Sequence, residues 1–160
     1  MEFKTTDLCD KYESEVSVCA PIFRCFGGKK MFHGVITTVQ VYEDNSLVRQ
    51  AIETVPAGSV IVVDGGASTR TALLGDNLAS IAMERGIAGF VIYGGVRDSA
   101  ELAQMNIGIK ALHAVPRKSK KEGKGQRDIP LLFGGVQWIP GHWVYADEDG
   151  ILVSPKELSL

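Results

Sequence analysis

The chain has 160 residues, of which 45% are hydrophobic and 22% are charged. This length is typical of one domain and this apolar content is enough to close one core, so we expect a single domain over residues 1–160. The 17 basic and 19 acidic side chains leave a formal charge of -2. No global field therefore favours nucleic acid or an anionic membrane as a partner.

The sequence predicts neither a membrane-spanning segment nor a secretion signal. Its longest apolar runs, such as residues 60–63 and 89–93, are far shorter than the roughly 20 residues that a membrane helix needs. The first ten residues include Glu2, Lys4 and Asp7 and lack the apolar stretch of a signal peptide. We expect a cytoplasmic protein.

The three cysteines lie within the first 25 residues. Cys9, Cys19 and Cys25 show no C-x-x-C spacing and have no histidine nearby to complete a zinc site. Because their number is odd and no secretion signal accompanies them, we expect reduced thiols that pack against the core.

The first third of the chain predicts a helix, a strand and a second helix. Thr5 or Thr6 can cap a helix that runs to about residue 16. The β-branched and apolar segment HGVITTVQVY, residues 33–42, predicts a strand. Asn45 is then expected to cap a helix that ends near residue 54.

Two strands and an intervening helix form the clearest pattern. Residues 59–64 (SVIVVD) and 88–93 (AGFVIY) are short apolar runs beside glycines, as in strands buried on both faces. Between them, Asp76 is expected to cap a helix that ends at Gly86. This order predicts a right-handed parallel unit whose loops meet at one edge of a sheet.

The C-terminal third is predicted to be mainly β. Residues 107–115 indicate another strand, and the segments PLLFGGVQWI and GILVSP indicate short β elements. Trp138 and Trp143 are expected in a β hairpin, in a packed cross-strand cluster rather than an exposed subunit contact. The predicted fold class is α/β with a mixed sheet.

The loops after the two buried strands are the best candidates for a binding site, because ligands in open α/β sheets gather beyond the carboxyl ends of the strands. These loops are residues 65–78 and 94–98. In the first loop, the backbone amides of Asp76, Asn77 and Leu78 at a helix start offer donors and a partial positive charge to an anion.

The second loop supplies complementary chemistry. Arg97 presents a planar fork suited to a carboxylate, and Asp98 supplies a hard oxygen for a divalent cation. A chelating oxo-acid would use all of these groups. The alternative is that Arg97 and Asp98 form a solvated ion pair and that Asp76 is only a cap.

Other motifs point to less specific roles. Residues 117–127 hold six of the 17 basic residues. We expect a solvated loop here, with contact to an acidic protein or RNA as the alternative, although no aromatic stacking residues accompany the basic ones.

The glycine pairs at 65–66 and 94–95 match no nucleotide-binding motif. Ser68 and Thr69 lack a nucleophile elbow or a paired histidine. Three scattered histidines, His33, His113 and His142, are expected to pack rather than to bind zinc.

The combination of two motifs resembles the RraA-like family. Gly-Asp-Asn-Leu at 75–78 is followed by VRDSAE at 96–101, and the family signature is a glycine, about 20 residues and then R-D-x-x-[DE]. The resemblance extends along nearly the whole chain, including VVDGG at 62–66 and ADEDG at 146–150. The family combines regulators of ribonuclease E activity with metal-dependent aldolases that cleave 4-hydroxy-4-methyl-2-oxoglutarate.

This resemblance implies a swivelling β/β/α fold, a homotrimer with sites near the subunit boundaries, and a set of roles. Asp98 would ligate the metal and Arg97 would hold the pyruvate carboxylate. Gly75, Asp76, Asn77 and Leu78 would form the substrate loop, with the amides of the last two on the carboxylate and Asp76 holding a metal-bound water. One protein carboxylate with several waters suits Mg²⁺ or Mn²⁺.

Two features point to different branches of the family. Tyr93 before Gly94 resembles the regulators, which bind ribonuclease E, whereas Asp98 and Glu101 resemble the aldolases. We therefore expect a class II aldolase that releases pyruvate and also decarboxylates oxaloacetate. A protein inhibitor of ribonuclease E is the alternative.

Overall fold

A mixed β-sheet flanked by short helices accounts for most of the chain, which is described over residues 2–160 by a computed structural model. Met1, the first residue of the segment searched for a secretion signal, lies outside the described residues. The helices are α1 (Thr5–Lys11), α2 (Ser46–Thr54), α3 (Asp76–Glu84) and α4 (Ser99–Leu102). The strands are β1 (Ser17–Val18), β2 (Arg24–Cys25), β3 (Phe32–Gln40), β4 (Val60–Asp64), β5 (Ala72–Leu74), β6 (Gly89–Val96), β7 (Gly108–Ala114), β8 (Gln126–Arg127), β9 (Leu131–Phe133), β10 (Val136–Trp138), β11 (Trp143–Asp147) and β12 (Gly150–Ser154).

The centre of the sheet is parallel and its flanks are antiparallel. The main path runs β1-β12-β11-β3-β4-β6-β7-β2, with β3, β4, β6 and β7 parallel to one another. The middle strand β4 is apolar on both faces because both faces are covered, and Val60 to Val63 are all fully buried. The expected α/β class with a mixed sheet is confirmed, as is the parallel unit built on β4, α3 and β6.

One face of the sheet is covered by helices. Val48 and Ile52 of α2, Ala79 and Ala82 of α3, and Leu102 of α4 belong to one buried cluster with the side chains of the central strands. These residues recur at helical spacing, so each short helix presents one apolar stripe to the sheet. The connections between parallel strands thus place the amino ends of α2 and α3 at the carboxyl edge of the sheet.

The opposite face is covered by the β9–β10 hairpin. Trp138 is fully buried, stacks on Phe133 with ring centroids 4.8 Å apart, and donates its indole N–H to the Phe133 carbonyl. The prediction that the two tryptophans share one hairpin is wrong. Trp143 lies on β11 in the main sheet and stacks on Tyr145, because the turn after Trp138 carries the chain from one sheet to the other.

The first helix differs from its prediction. It ends at Lys11 rather than near residue 16, and Lys4 occupies its N-cap position. Thr5 donates both its backbone N–H (2.7 Å) and its hydroxyl (2.6 Å) to the Asp147 carboxylate. This long-range contact uses the hydroxyl that a local cap would have needed.

Of the other two predicted helix caps, one is in the predicted position and one is shifted by a residue. Asn45 holds the N-cap position of α2 as predicted but makes no side-chain capping bond, while Asp44 accepts the N–H of Ser46 at 3.0 Å. Gly75 is the N-cap of α3, and Asp76 is its first helical residue. Gly86, with φ of +74°, follows the end of α3 as predicted.

The loops that follow the buried strands are shorter than expected. Strand β6 continues through Gly94 and Gly95 to Val96, so only Arg97 and Asp98 separate it from α4. Strand β5 lies within the stretch predicted as one long loop and pairs with this extension of β6. Because Leu74 of β5 pairs with Val96 of β6, the start of α3 lies next to Arg97.

All three cysteines are free thiols, as predicted. Cys19 is buried, and burial raises the pKa of its thiol to about 11, against a smaller lowering by Lys110. Among the described residues, no helix is long and apolar enough to cross a membrane.

A glycine under an aromatic ring offers a test of the packing. A Cβ on Gly108 would lie 2.1 to 2.6 Å from atoms of the Phe32 ring, whereas a Cβ on Gly150 would meet nothing within 4 Å. We predict that Gly108→Ala lowers the free energy of unfolding by about 1 to 3 kcal/mol, as overpacking does, and that Gly150→Ala is close to neutral. Urea unfolding measures both; an equal effect would contradict this account of the core.

Candidate active site

A cavity of about 520 Å³ lies at the carboxyl edge of the sheet. Four segments line it: the start of α2, the junction of β5 with α3, the loop after β6, and part of residues 117–127. All six residues proposed from the sequence are among its lining residues: Gly75, Asp76, Asn77, Leu78, Arg97 and Asp98. The structure thus brings the two predicted loops together in one pocket.

The two loops meet at a glycine. A Cβ on Gly75 would lie 2.7 Å from Oδ2 of Asp98 and 3.3 Å from Cγ of Arg97. Without that atom, Asp98 Oδ2 accepts the N–H of Asp76 at 3.0 Å, and the Arg97 N–H binds the Leu74 carbonyl at 2.9 Å. The carboxylate therefore occupies the amino end of α3, where free amides and the helix dipole favour a negative charge.

Asp98 itself has a left-handed backbone, with φ of 57° and ψ of 43°. This conformation is uncommon outside glycine but is tolerated better by aspartate and asparagine. It ends β6, and the Asp98 carbonyl accepts the N–H of Leu102 in α4 at 2.9 Å. The turn thus fixes the carboxylate between two helix starts.

Asp76 and Asp98 place two carboxyl groups side by side on the cavity wall. A hydrogen bond with the Asp98 carboxyl raises the pKa of Asp76, and partial burial and the Asp98 charge add to the effect. Such a pair favours a bound proton or a cation, because two neighbouring carboxylates repel each other. The residues present therefore fit a hard divalent cation.

The rest of a metal coordination shell would come from outside these residues. The described part of the chain holds no group of three or more His, Cys, Asp or Glu placed to bind a metal ion. Glu101, the other acid of the predicted motif, is exposed on α4. A cation at Asp98 would thus take its remaining ligands from water or substrate.

Arg97 is half-buried in the same cavity. Among residues 2–160 it forms no salt bridge, so the alternative of an Arg97–Asp98 ion pair is wrong. Its guanidinium remains available for an anionic ligand beside the two carboxyl groups.

The basic segment is part of the site, which sequence reasoning missed. The stretch is exposed as predicted, apart from buried Ser119 and half-buried Arg127, and Lys118, Ser119 and Lys121 also line the cavity. Asn45 and Arg49 from the start of α2 line it as well. The rule that ligands gather beyond strand ends could have found the start of α2, because it directly follows β3.

The remaining sequence candidates have structural explanations. The Ser68 hydroxyl donates to Glu43 at 2.6 Å, and Arg70 forms a two-pronged contact with the same carboxylate. These hydrogen bonds, from Arg70 first, hold the pKa of Glu43 below its usual value. His113 contacts the Ser68 carbonyl with Nε2 at 2.9 Å, so it packs against this loop as predicted.

Comparisons with known proteins agree with this arrangement. A family model described as RraA-like (Aldolase/RraA) matches residues 5–153. A 4-hydroxy-4-methyl-2-oxoglutarate aldolase of Thermus thermophilus is 51% identical over 156 residues, which cover 98% of this chain and 94% of the relative.

Two solved structures have nearly the same fold. One, from Thermus thermophilus, is described as the RNA-processing inhibitor RraA; it has a TM-score of 0.95 at 51% identity and is matched over 99% of this chain and 96% of its own. The other, from Geobacillus kaustophilus, is described as an S-adenosylmethionine:2-dimethylmenaquinone methyltransferase. It has a TM-score of 0.96 at 59% identity, over 98% of this chain and 97% of its own. The chain belongs to the RraA-like family.

Proposed function

We propose that this protein is a divalent-metal-dependent aldolase that cleaves 4-hydroxy-4-methyl-2-oxoglutarate and also decarboxylates oxaloacetate. The observation that carries the proposal is the meeting of an unpaired Arg97 with the Asp76 and Asp98 carboxyl groups in one cavity. The aldolase name of a relative that is 51% identical supports the same activity.

The cation would be held by Asp98 directly and by Asp76 through water. When bound, it supplies Lewis-acid polarisation of the 2-oxo group. Mg²⁺ or Mn²⁺ fits a site with so few protein ligands and oxygen donors only. Gly75 contributes by leaving room for the Asp98 carboxylate.

The substrate carboxylate would be bound by Arg97 and by the start of α3. Arg97 offers two parallel N–H donors, and the amides of Asn77 and Leu78 lie in the first turn of a helix, where no intrahelical acceptor is available. This binding would hold the 2-oxo-acid end of the substrate against the wall formed by the two acids. The C4 end would then extend into the remainder of the cavity.

The reaction balances without a further reactant. The C4 hydroxyl loses its proton, the C3–C4 bond breaks, and its electron pair passes to the 2-oxo-acid fragment, which then takes a proton at C3. The C4 fragment keeps its oxygen as a carbonyl, so both products are pyruvate. In oxaloacetate the bond to the departing CO₂ breaks in the same sense, which explains the expected second activity.

The name of the Geobacillus structure suggests a methyltransferase activity. The glycines at 65 and 94, which could have formed a cofactor-binding loop, are explained by packing instead. A Cβ on Gly65 would lie 2.5 Å from Leu73 Cδ1, and one on Gly94 would lie 3.2 Å from the same atom. Both glycines therefore make room for Leu73 of β5, a packing role that needs no bound cofactor.

The direct test is pyruvate release from 4-hydroxy-4-methyl-2-oxoglutarate and from oxaloacetate, with Mg²⁺ and with a chelator. We predict turnover that needs the metal and is lost in Asp98→Ala. Turnover that is unchanged by both the chelator and the Asp98→Ala substitution would refute the proposal. A complete absence of pyruvate release from the unsubstituted protein would also refute it.

The two residues of the Arg97–Asp98 pair should fail in different ways. Arg97→Ala is expected to lower kcat/KM by roughly 10- to 150-fold, equivalent to about 1.5 to 3 kcal/mol for a charge-assisted contact, with metal affinity nearly unchanged. Arg97→Lys should restore part of the loss, because lysine keeps the charge without the planar fork.

Asp98→Asn should abolish turnover at ordinary metal concentration and recover in part when Mg²⁺ is raised, because it removes the metal ligand. Steady-state kinetics with titration of both substrate and metal separates these effects. Equal changes in metal affinity in both variants, with substrate dependence untouched, would contradict the assigned roles.

A second candidate function is inhibition of ribonuclease E by protein contact. It is favoured by the similarity to the structure described as the RNA-processing inhibitor RraA. A tyrosine at position 93 is the feature that resembles the regulator branch. The Tyr93 ring stacks on Phe133 with centroids 4.9 Å apart, so packing also accounts for an aromatic residue there. Pull-down and RNA-cleavage assays test this function; no binding at micromolar concentration would count against it.

We also propose the trimer that the family resemblance implies, with the cavity near a subunit boundary. Its lining from four surface segments leaves it open on one side of this chain, where a second subunit could close it. Light scattering should give the trimer mass, and a monomer at working concentration would contradict it.

A further inference from the structure

We propose that Asp44 is a positioning residue that fixes segment 118–124 as one wall of the cavity by binding the start of α2 and the backbone of this segment at once. The inference rests on the proposed function only for its kinetic consequence. The structural part concerns a buried carboxylate outside the sequence-predicted site.

Asp44 is buried, with only 2% of its surface exposed, and it directly precedes the N-cap residue of α2. Its Oδ1 accepts the backbone N–H of Ser46 at 3.0 Å and also the Ser46 hydroxyl. Its Oδ2 accepts the N–H of Glu122 at 2.8 Å and that of Lys124 at 3.4 Å. One oxygen thus serves the helix and the other serves the basic segment, 78 and 80 residues further along the chain.

Neighbouring backbone contacts hold the same segment. The Lys120 N–H binds the Glu43 carbonyl at 2.9 Å, and the Asn45 N–H binds the Lys120 carbonyl at 3.1 Å. Gly123 donates its N–H to the Ser46 hydroxyl oxygen at 2.8 Å. The segment is therefore tied to residues 43–46 through backbone groups, and Asp44 is the carboxylate among these anchors.

Asp44 is charged at neutral pH. Burial by itself raises the pKa of Asp44, but the hydrogen bonds from Ser46, Glu122 and Lys124 together outweigh burial, so the pKa lies below the ordinary value. Hydrogen bonds to an ionised acceptor are stronger than neutral ones. This carboxylate can therefore order a segment that is rich in lysine and glycine.

The tied segment carries cavity residues. Lys118, Ser119 and Lys121 line the cavity together with Arg97, and the Ser119 hydroxyl donates to the Ala72 carbonyl at 2.7 Å. Ala72 secures the beginning of the segment and Asp44 secures its end. Release of the Asp44 contact would let Lys121 move away from the cavity while Arg97 and Asp98 stay in place.

The test uses the isosteric Asp44→Asn. A carboxylate has two acceptor oxygens and an amide has one, so whichever way the amide turns, the helix start or the segment loses its acceptor. The matched control is Asp147→Asn, which removes a carboxylate that holds a different helix start, at Thr5, away from the cavity. Asp147 does not line the cavity, so its loss should lower stability without touching the segment.

Limited trypsin digestion of the full folded chain, with the cut sites read by mass spectrometry, reports how often the segment opens. Asp44→Asn should be cut after Lys118, Lys120, Lys121 or Lys124 about tenfold faster or more, and Asp147→Asn at the rate of the unsubstituted chain. Equal rates in all three proteins would overturn the proposal. Ser46→Ala, which removes the acceptor of Gly123 without removing a buried charge, should give an intermediate rate and keeps the test valid if Asp44→Asn does not fold.

Kinetics with oxaloacetate and Mg²⁺ tests the positioning role. Asp44→Asn should raise KM about tenfold and leave kcat within about twofold, because Arg97 and Asp98 are unchanged; Asp147→Asn should change neither. Faster cutting with an unaltered KM would show a structural tie only and would overturn the positioning role. If the unsubstituted chain shows no turnover, the proposed function fails while the digestion result still decides whether Asp44 holds the segment.

Discussion

The approach of Asp98 to the amino end of α3 is the contact on which the site depends. It requires a glycine at position 75, because any side chain there would occupy the place of the Asp98 carboxylate. It also requires the left-handed backbone of Asp98 and the pairing of β5 with the end of β6. Through this contact, two loops from different strands become one surface with a defined arrangement of charge.

That surface combines opposite charges at close range. A hydrogen bond with the Asp98 carboxyl, together with partial burial and the Asp98 charge, raises the pKa of Asp76, while Arg97 has no acidic partner among the described residues. A ligand that brings both a cation and a carboxylate would satisfy both sides. A chelated 2-oxo-acid has this composition, and this electrostatic match leads us to favour an aldolase over the other activities named among the relatives.

The sequence predicted the parallel unit and the two loops that line one cavity because the signals were local. Apolar runs identified β4 and β6, and the glycine before Asp76 together with Arg97 and Asp98 identified the two loops that meet in the cavity. The family resemblance assigned chemistry to these residues that their spacing alone left open. The alternative of a solvated ion pair could be removed only with the structure.

What the sequence could not predict depends on contacts between distant segments. The binding of Thr5 to Asp147, 142 residues away, takes the place of the predicted local cap. The contact of Asp44 with Glu122, 78 residues further along the chain, places the exposed basic segment beside the start of α2. Neither contact leaves a periodic or compositional signal, since each depends on where the sheet brings the chain back.

The central claim, that Asp98 and Arg97 together bind a chelated 2-oxo-acid, can be tested by crystallography. Crystals grown with Mn²⁺ and oxalate, a stable analogue of the enolic form of pyruvate, should be measured for anomalous scattering from manganese. The account predicts a manganese peak within coordination distance of the Asp98 carboxylate, with an oxalate carboxylate on Arg97. A peak elsewhere, or no peak at a saturating concentration of both, would contradict it.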